Sequence, residues 1–150
     1  MKCKDYGDEI CDHMNKLEEQ NERFNMGMYT ELILKVEVEK KLPQEIEEIL
    51  LYLFEDGDLR DLPEKLPDHE FFRCKNWEFI GKSASYYHVP KVFRMYKSGY
   101  IFTRCDLKNY ENEIEEFIDW IDPYITNNSG TVIGWTWYEE DKEPTLLRKK

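Results

Sequence analysis

Apolar and polar positions along this chain change period several times, and each change marks an element. In TELILKVEVE, Leu32, Leu34, Val36 and Val38 alternate with Ile33, Lys35 and Glu37, the period of a strand with one buried face. Pro43 suits the first turn of a helix. In QEIEEILLYLFED, Ile46, Ile49, Leu50 and Leu53 then fall at i, i+3, i+4 and i+7, a single helical face. Glu45, Glu47 and Glu48 occupy its first turns, where carboxylates complement the helix dipole, and Gly57 closes it. Residues 58–68 (DLRDLPEKLPD) read as a surface loop, and HEFFRC returns to the core through Phe71 or Phe72. Strand-like runs follow at Trp77 to Ile80 and, after Gly81, at Ser83 to Val89. Val92 to Tyr96 and Tyr100 to Cys105 flank Lys97-Ser98-Gly99, a hairpin whose glycine supplies a positive φ.

Asp106 or Asn109 is placed to cap the next helix. There Ile114, Phe117, Ile118 and Ile121 repeat the i, i+3, i+4, i+7 spacing, and Pro123 makes the last turn irregular. Asn127 to Gly130 is a turn, and Thr131 to Tyr138 alternates with Ile133, Trp135 and Trp137 on one side. EEDKEP is a polar turn, and TLLRKK is a short final strand or a fraying tail. This order predicts an α+β class, with two helices packed on one face of a mostly antiparallel sheet. A ferredoxin-like arrangement with extra strands is one form of it.

Residues 1–27 differ from the rest. They are polar, with Ile10, Met14 and Leu17 at i, i+4 and i+7, and read as a flexible or weakly helical extension. Residues 28–150 form the expected single α+β domain, and Met28 is a candidate for its functional start. With 41% hydrophobic and 15% aromatic residues, the chain is too apolar to be intrinsically disordered. Asp and Glu number 32 against 21 Lys and Arg, a net charge of −11 that repels phosphate backbones and favours basic partners. Direct nucleic-acid binding is therefore not expected, although acidity of this kind also serves solubility alone. No apolar run has transmembrane length, the N-terminus lacks the apolar core of a signal peptide, and no membrane association is expected. Cys3, Cys11, Cys74 and Cys105, irregularly spaced, read as free thiols in a reducing cytoplasm.

Phosphate-binding glycine loops, H-E-x-x-H and G-x-S-x-G are all missing. A metal centre from His69, Cys74, His88 and Cys105 lacks paired spacing, and the two cysteines suit small buried hydrophobes. The expectation is a non-enzymatic protein with no catalytic residue, no metal and no cofactor. Two features suit binding. The first is the acidic half of the second helix, Glu115, Glu116, Asp119 and Asp122, followed in sequence by Glu139, Glu140, Asp141 and Glu143. Carboxylates one helical turn apart stand on the order of 5–6 Å from each other, near the spacing of phosphates, so such a row mimics nucleic acid toward a basic groove. Its plainer reading is a solvated helix face. The second feature is aromatic. Tyr86, Tyr87, Tyr96, Tyr100, Trp135, Trp137 and Tyr138 lie in strand-like runs, where some must point away from the core. Tyr86, Tyr87 and His88 with Arg94 and Arg104 make a candidate nucleotide-binding set. For Trp135 and Trp137 the preferred reading is filling between sheet and helices. An exposed edge strand leaves a homodimer open.

The phrases TELIL, LPDHEFF, SYYH, DLKNYENEIEEFIDWIDPYI, NNSG and YEEDKEPTLL resemble those of small accessory proteins encoded by bacteriophages and prophages. The resemblance spans Met28 to Leu147. It implies an accessory protein acting in a bacterial host cytoplasm, where it blunts defences by binding an effector or sequestering a signalling nucleotide. The expected function is thus inhibition of a basic host defence protein, such as a nucleic-acid-binding effector, by an anti-CRISPR or other anti-defence protein. The alternative is a binder that sequesters a nucleotide second messenger.

Overall fold

The computed structural model describes residues 29–55, 57–82, 93–97 and 99–150, with the backbone alone for 93–97. The elements are β1 (Thr30–Glu37), α1 (Gln44–Phe54), α2 (Phe79–Lys82), β2 (Phe93–Lys97), β3 (Tyr100–Leu107), α3 (Glu113–Ile121), β4 (Val132–Tyr138) and β5 (Thr145–Arg148). Short 3-10 turns lie at Leu59–Asp61, Glu70–Arg73 and Asp122–Tyr124. The strands form one sheet in the order β2-β3-β1-β4-β5, and every neighbouring pair is antiparallel. The class is α+β, as expected. The succession β1-α1-β2-β3-α3-β4, with β3 between β1 and β2, is the split βαβ order, and β5 adds a strand beyond β4.

Alternation in β1 does what its period demands. Leu32, Leu34 and Val36 are fully buried in one cluster with Ile49, Leu50 and Leu53 of α1 and Ile114, Phe117 and Ile121 of α3. Helix α1 buries a wider face than its four spaced residues, because Tyr52 and Phe54 also go inside. The Tyr52 hydroxyl donates to Glu78 Oε1 at 2.6 Å, and the Lys82 ammonium lies 3.7 Å from the ring centroid. Burial first, and then Glu78, raise the Tyr52 phenol well above its ordinary pKa.

The strand expected at Trp77 to Ile80 is instead a turn running into α2. Side-chain packing overrides alternation there. Trp77 stacks edge-on against Phe71 and Phe72 and tilts against Tyr52, while Thr103 Oγ1 donates to the Ile80 carbonyl at 2.9 Å. Gly81 lies so close to α1 that a Cβ would fall 1.9 Å from the Leu53 carbonyl oxygen. The strand-like run Ser83 to Val89 lies outside the described residues, as does the extension at 1–27.

The expected hairpin is present. Lys97 pairs with Tyr100, and Gly99 has φ of +84°. Neither expected cap holds the N-cap position, which Asn112 takes at φ +61° with no side-chain cap bond, although Asn109 Oδ1 reaches in to accept from the Ile114 N–H at 2.9 Å. Asp106 is instead a buried member of β3 paired with Glu31. The tail TLLR is a strand, β5.

In β4 a bulge between Val132 and Gly134 interrupts the pairing with β5. Ile133 is buried in the core, whereas Trp135 and Trp137 pair with Ile33 and Glu31, at positions that alternate with Leu32 and Leu34. Register partners share a sheet face. Trp135 and Trp137 therefore lie on the face turned away from the helices, and Trp137 is 42% exposed. The filling role expected for them is corrected accordingly.

Candidate functional site

The acidic residues named from the sequence divide into two groups with different surroundings. On α3 the apolar half is buried as spaced, and three of the four named acids, Glu115, Asp119 and Asp122, are bonded to neighbouring side chains. Asp119 meets His69 Nε2 at 3.2 Å through Oδ2 and the Lys150 ammonium at 3.0 Å through Oδ1. Asp122 pairs with Lys149 at 2.7 Å. Glu115 accepts from the Asn109 amide at 2.9 Å. Glu116 is half-buried beside Cys74 and Glu111, where Arg73 bonds to Glu70 and Asp68. The contacts to Lys150 and His69 hold the Asp119 carboxyl below the usual carboxylate range.

A group whose pKa is lowered by folding stabilises the fold at pH values above its unfolded pKa. That contribution disappears as pH falls through the folded pKa. Asp119→Asn is therefore expected to lower the denaturation midpoint at pH 7. Its difference from the unsubstituted protein should shrink below about pH 4, the ordinary carboxylate value. Urea titrations at pH 7 and pH 3 check this, and a difference that stays constant between them contradicts it.

His69 is the functional-looking residue of this region. Its Nδ1 accepts from the Phe71 N–H at 3.1 Å and caps the 3-10 turn. With Glu116 and Asp119 it makes a group whose possible ligand atoms lie within 4.8 Å of one another. An acceptor Nδ1 carries no proton, so in the neutral ring Nε2 bears it and donates to Asp119. The nitrogen facing the carboxylates then offers a metal no lone pair, and the group is a structural tie between the loop and α3. Sequence spacing could not find it, since His69 and Asp119 are 50 positions apart.

The second acidic group joins β4 to β5. Glu139, Glu140, Asp141 and Glu143 are all exposed. Lys149 follows β5 and bonds back to the Thr131 carbonyl, so Asp119 and Asp122 sit toward the start of β4. The connection lies at the other end of that strand. Seven strand residues span about 20 Å, so no single row runs from these two aspartates to Glu143.

Beside the connection is a concavity of about 260 Å³. Its sheet wall is Glu31, Asp106 and Trp137, and its rim is Tyr29, Tyr138, Glu139 and Asp141. The Trp137 indole N–H donates to the Asp141 carbonyl at 2.9 Å, which fixes the ring against the turn. Arg104 donates to Glu31 at 2.8 Å. The Tyr138 phenol is raised above its ordinary pKa by desolvation and by the carboxylates around it, Glu140 first among them.

The candidate nucleotide set is not assembled by what is described. Tyr86, Tyr87 and His88 lie outside the described residues. Arg94 registers with Thr103, a helix-side position, whereas Arg104 registers with Phe93 and is bonded to Glu31. Cys74 and Cys105 are buried free thiols, and burial pushes Cys74 up to about 11 and Cys105 higher still. Neither has the thiolate character that a nucleophile needs. Among the described residues, no helix is long and apolar enough to cross a membrane. No family model matches the chain, and no curated protein or solved structure matches it either.

Proposed function

We propose that this chain is a non-enzymatic accessory protein of phage type that binds and inhibits a basic host defence protein through an acidic surface. The supporting observation is the β4–β5 connection, where four exposed carboxylates stand within five residues and Lys142 is the one cation among them. On the α3 side, Asp119 and Asp122 hold Lys150 and Lys149 of the same chain and are less exposed to a partner's charge. The anti-defence setting comes from the resemblance to bacteriophage accessory proteins, and an anti-CRISPR is one member of that class. A concentrated acidic turn speeds encounter with a basic partner and makes binding sensitive to salt.

The test is affinity capture from a defence-carrying bacterial lysate, followed by measurement with the purified partner across a salt series. Changing Glu139, Glu140 and Glu143 together to Lys alters exposed positions alone, and is expected to weaken binding at least about tenfold and flatten its salt dependence. Binding that ignores salt and survives the triple change overturns the reading.

A further inference from the structure

Glu31 is the register partner of both Asp106 on β3 and Trp137 on β4, so these three side chains form one row across adjacent strands. Carboxylates placed directly opposite each other on paired strands repel. Arg104 donates to Glu31 from the side, and the lining of the concavity also includes the carboxylates of Glu139 and Asp141. Tyr29 and Trp137 supply the aromatic lining, whereas Tyr138, whose register partner is Thr30, borders the concavity from the next position of β4. Carboxylates give long-range attraction for a cation, and ring faces supply contact attraction that water does not replace. One ring already shows this preference, since the Lys108 ammonium stands 5.6 Å from the Tyr29 centroid.

We propose that this concavity is a binding site for an organic cation, the guanidinium or ammonium head of an arginine or lysine side chain. In the reading above, on which this inference rests, the basic partner presents that side chain. The volume of about 260 Å³ lies below the usual range for drug-sized ligands, roughly 300–1,000 Å³, and suits a side-chain head group. A small metal ion is the wrong guest. Among the described residues, the group that brings three ligand atoms within 4.8 Å is His69, Glu116 and Asp119, not the carboxylates here. Carboxylates spread around aromatic walls match a broad, weakly hydrated cation, and of the two heads the guanidinium fits such walls better. Trp137 is the main contact, because its ring is both exposed and held by the Asp141 carbonyl.

The experiment titrates the purified full chain with N-acetyl-arginine methylamide, N-acetyl-lysine methylamide, spermidine and the neutral N-acetyl-norleucine methylamide, at matched ionic strength. The Trp137 indole N–H resonance is the readout. The arginine and lysine derivatives are expected to shift it saturably, with dissociation constants on the order of a millimolar, and the norleucine derivative not at all. Glu139→Gln with Asp141→Asn leaves shape and fold in place and is expected to weaken the shift about tenfold. Trp137→Leu, followed by backbone amides and checked for folding by circular dichroism, is expected to abolish it.

No saturable shift with either amino-acid derivative overturns the site. Saturation by spermidine at far lower concentration than by the derivatives overturns the protein-side-chain source in favour of a free polyamine. Because no partner is present, a silent titration beside salt-sensitive capture refutes the pocket alone. A saturable titration beside salt-insensitive capture refutes the partner and upholds the cation site.

Discussion

Replacing Phe71 by alanine is expected to lower the unfolding free energy by about 3–5 kcal/mol, the usual loss for a large aromatic removed from a core. Phe71 is 0% exposed and is the hub of an aromatic group. Its ring centroid lies 4.9 Å from Phe72, 5.3 Å from Phe117, and 5.7 Å from both Trp77 and Trp120. Two of these neighbours belong to α3 and two to the segment between α1 and α2. The ring therefore joins a helix to a stretch with little regular structure. Such a stretch has few backbone bonds to hold it, so the cavity left by alanine is expected to loosen it rather than be filled by collapse. Domains of this size have about 5–15 kcal/mol in hand, which makes the variant marginal at 37 °C. Urea denaturation followed by circular dichroism and by tryptophan fluorescence measures it. A loss below about 1.5 kcal/mol would show that the site repacks and that Phe71 is not the hub described.

The second large effect is steric. Gly134→Ala is expected to cost about 3 kcal/mol, at the upper end of what overpacking a core commonly costs. A Cβ on Gly134 would fall 2.0 Å from the Ile33 carbonyl oxygen and 3.0 Å from the Leu34 Cα. Those atoms belong to β1, which is held by β3 on one side and β4 on the other, so neither can move without breaking a ladder. β4 must shift instead. The shift would carry Trp137 away from Glu31, so the variant is expected to lose organic-cation binding along with stability. The thermal midpoint and the Trp137 indole shift report the two losses separately. A variant that matches the unsubstituted protein in both would contradict the close approach of β4 to β1.

Each site residue was legible to a different degree. The acidity of Glu139 to Glu143 is visible in the sequence, and so is its exposure, because a polar run between two strands has nowhere to be buried. The outward position of Trp137 was not legible. Its alternation with Ile133 suggested a shared buried face, and only the bulge between Val132 and Gly134 separated them. Glu31 and Asp106 carried no signal at all. A lone acid at an outward strand position looks the same whether it meets water or a second carboxylate across the ladder. The strand expected at Trp77 to Ile80 failed for a related reason, since short apolar runs serve helix and strand equally well and partners decide between them.

The sequence by itself determined the periodic elements and their inward faces. One-sided burial is a demand made within eight to eleven residues, and β1, α1 and the apolar half of α3 answer it with their own spacing. It also determined the β2–β3 hairpin, whose closing pair is Lys97 and Tyr100 and whose tight reversal uses the positive φ that Gly99 provides. Only the tertiary structure decided which carboxylates are tied to the chain's own cations. Lys150 reaches Asp119 across 31 positions and His69 reaches it across 50, and the Glu31–Trp137 row spans strands more than a hundred residues apart. Ion pairs and pocket walls are made by chain ends meeting in space, and no local period records which ends will meet.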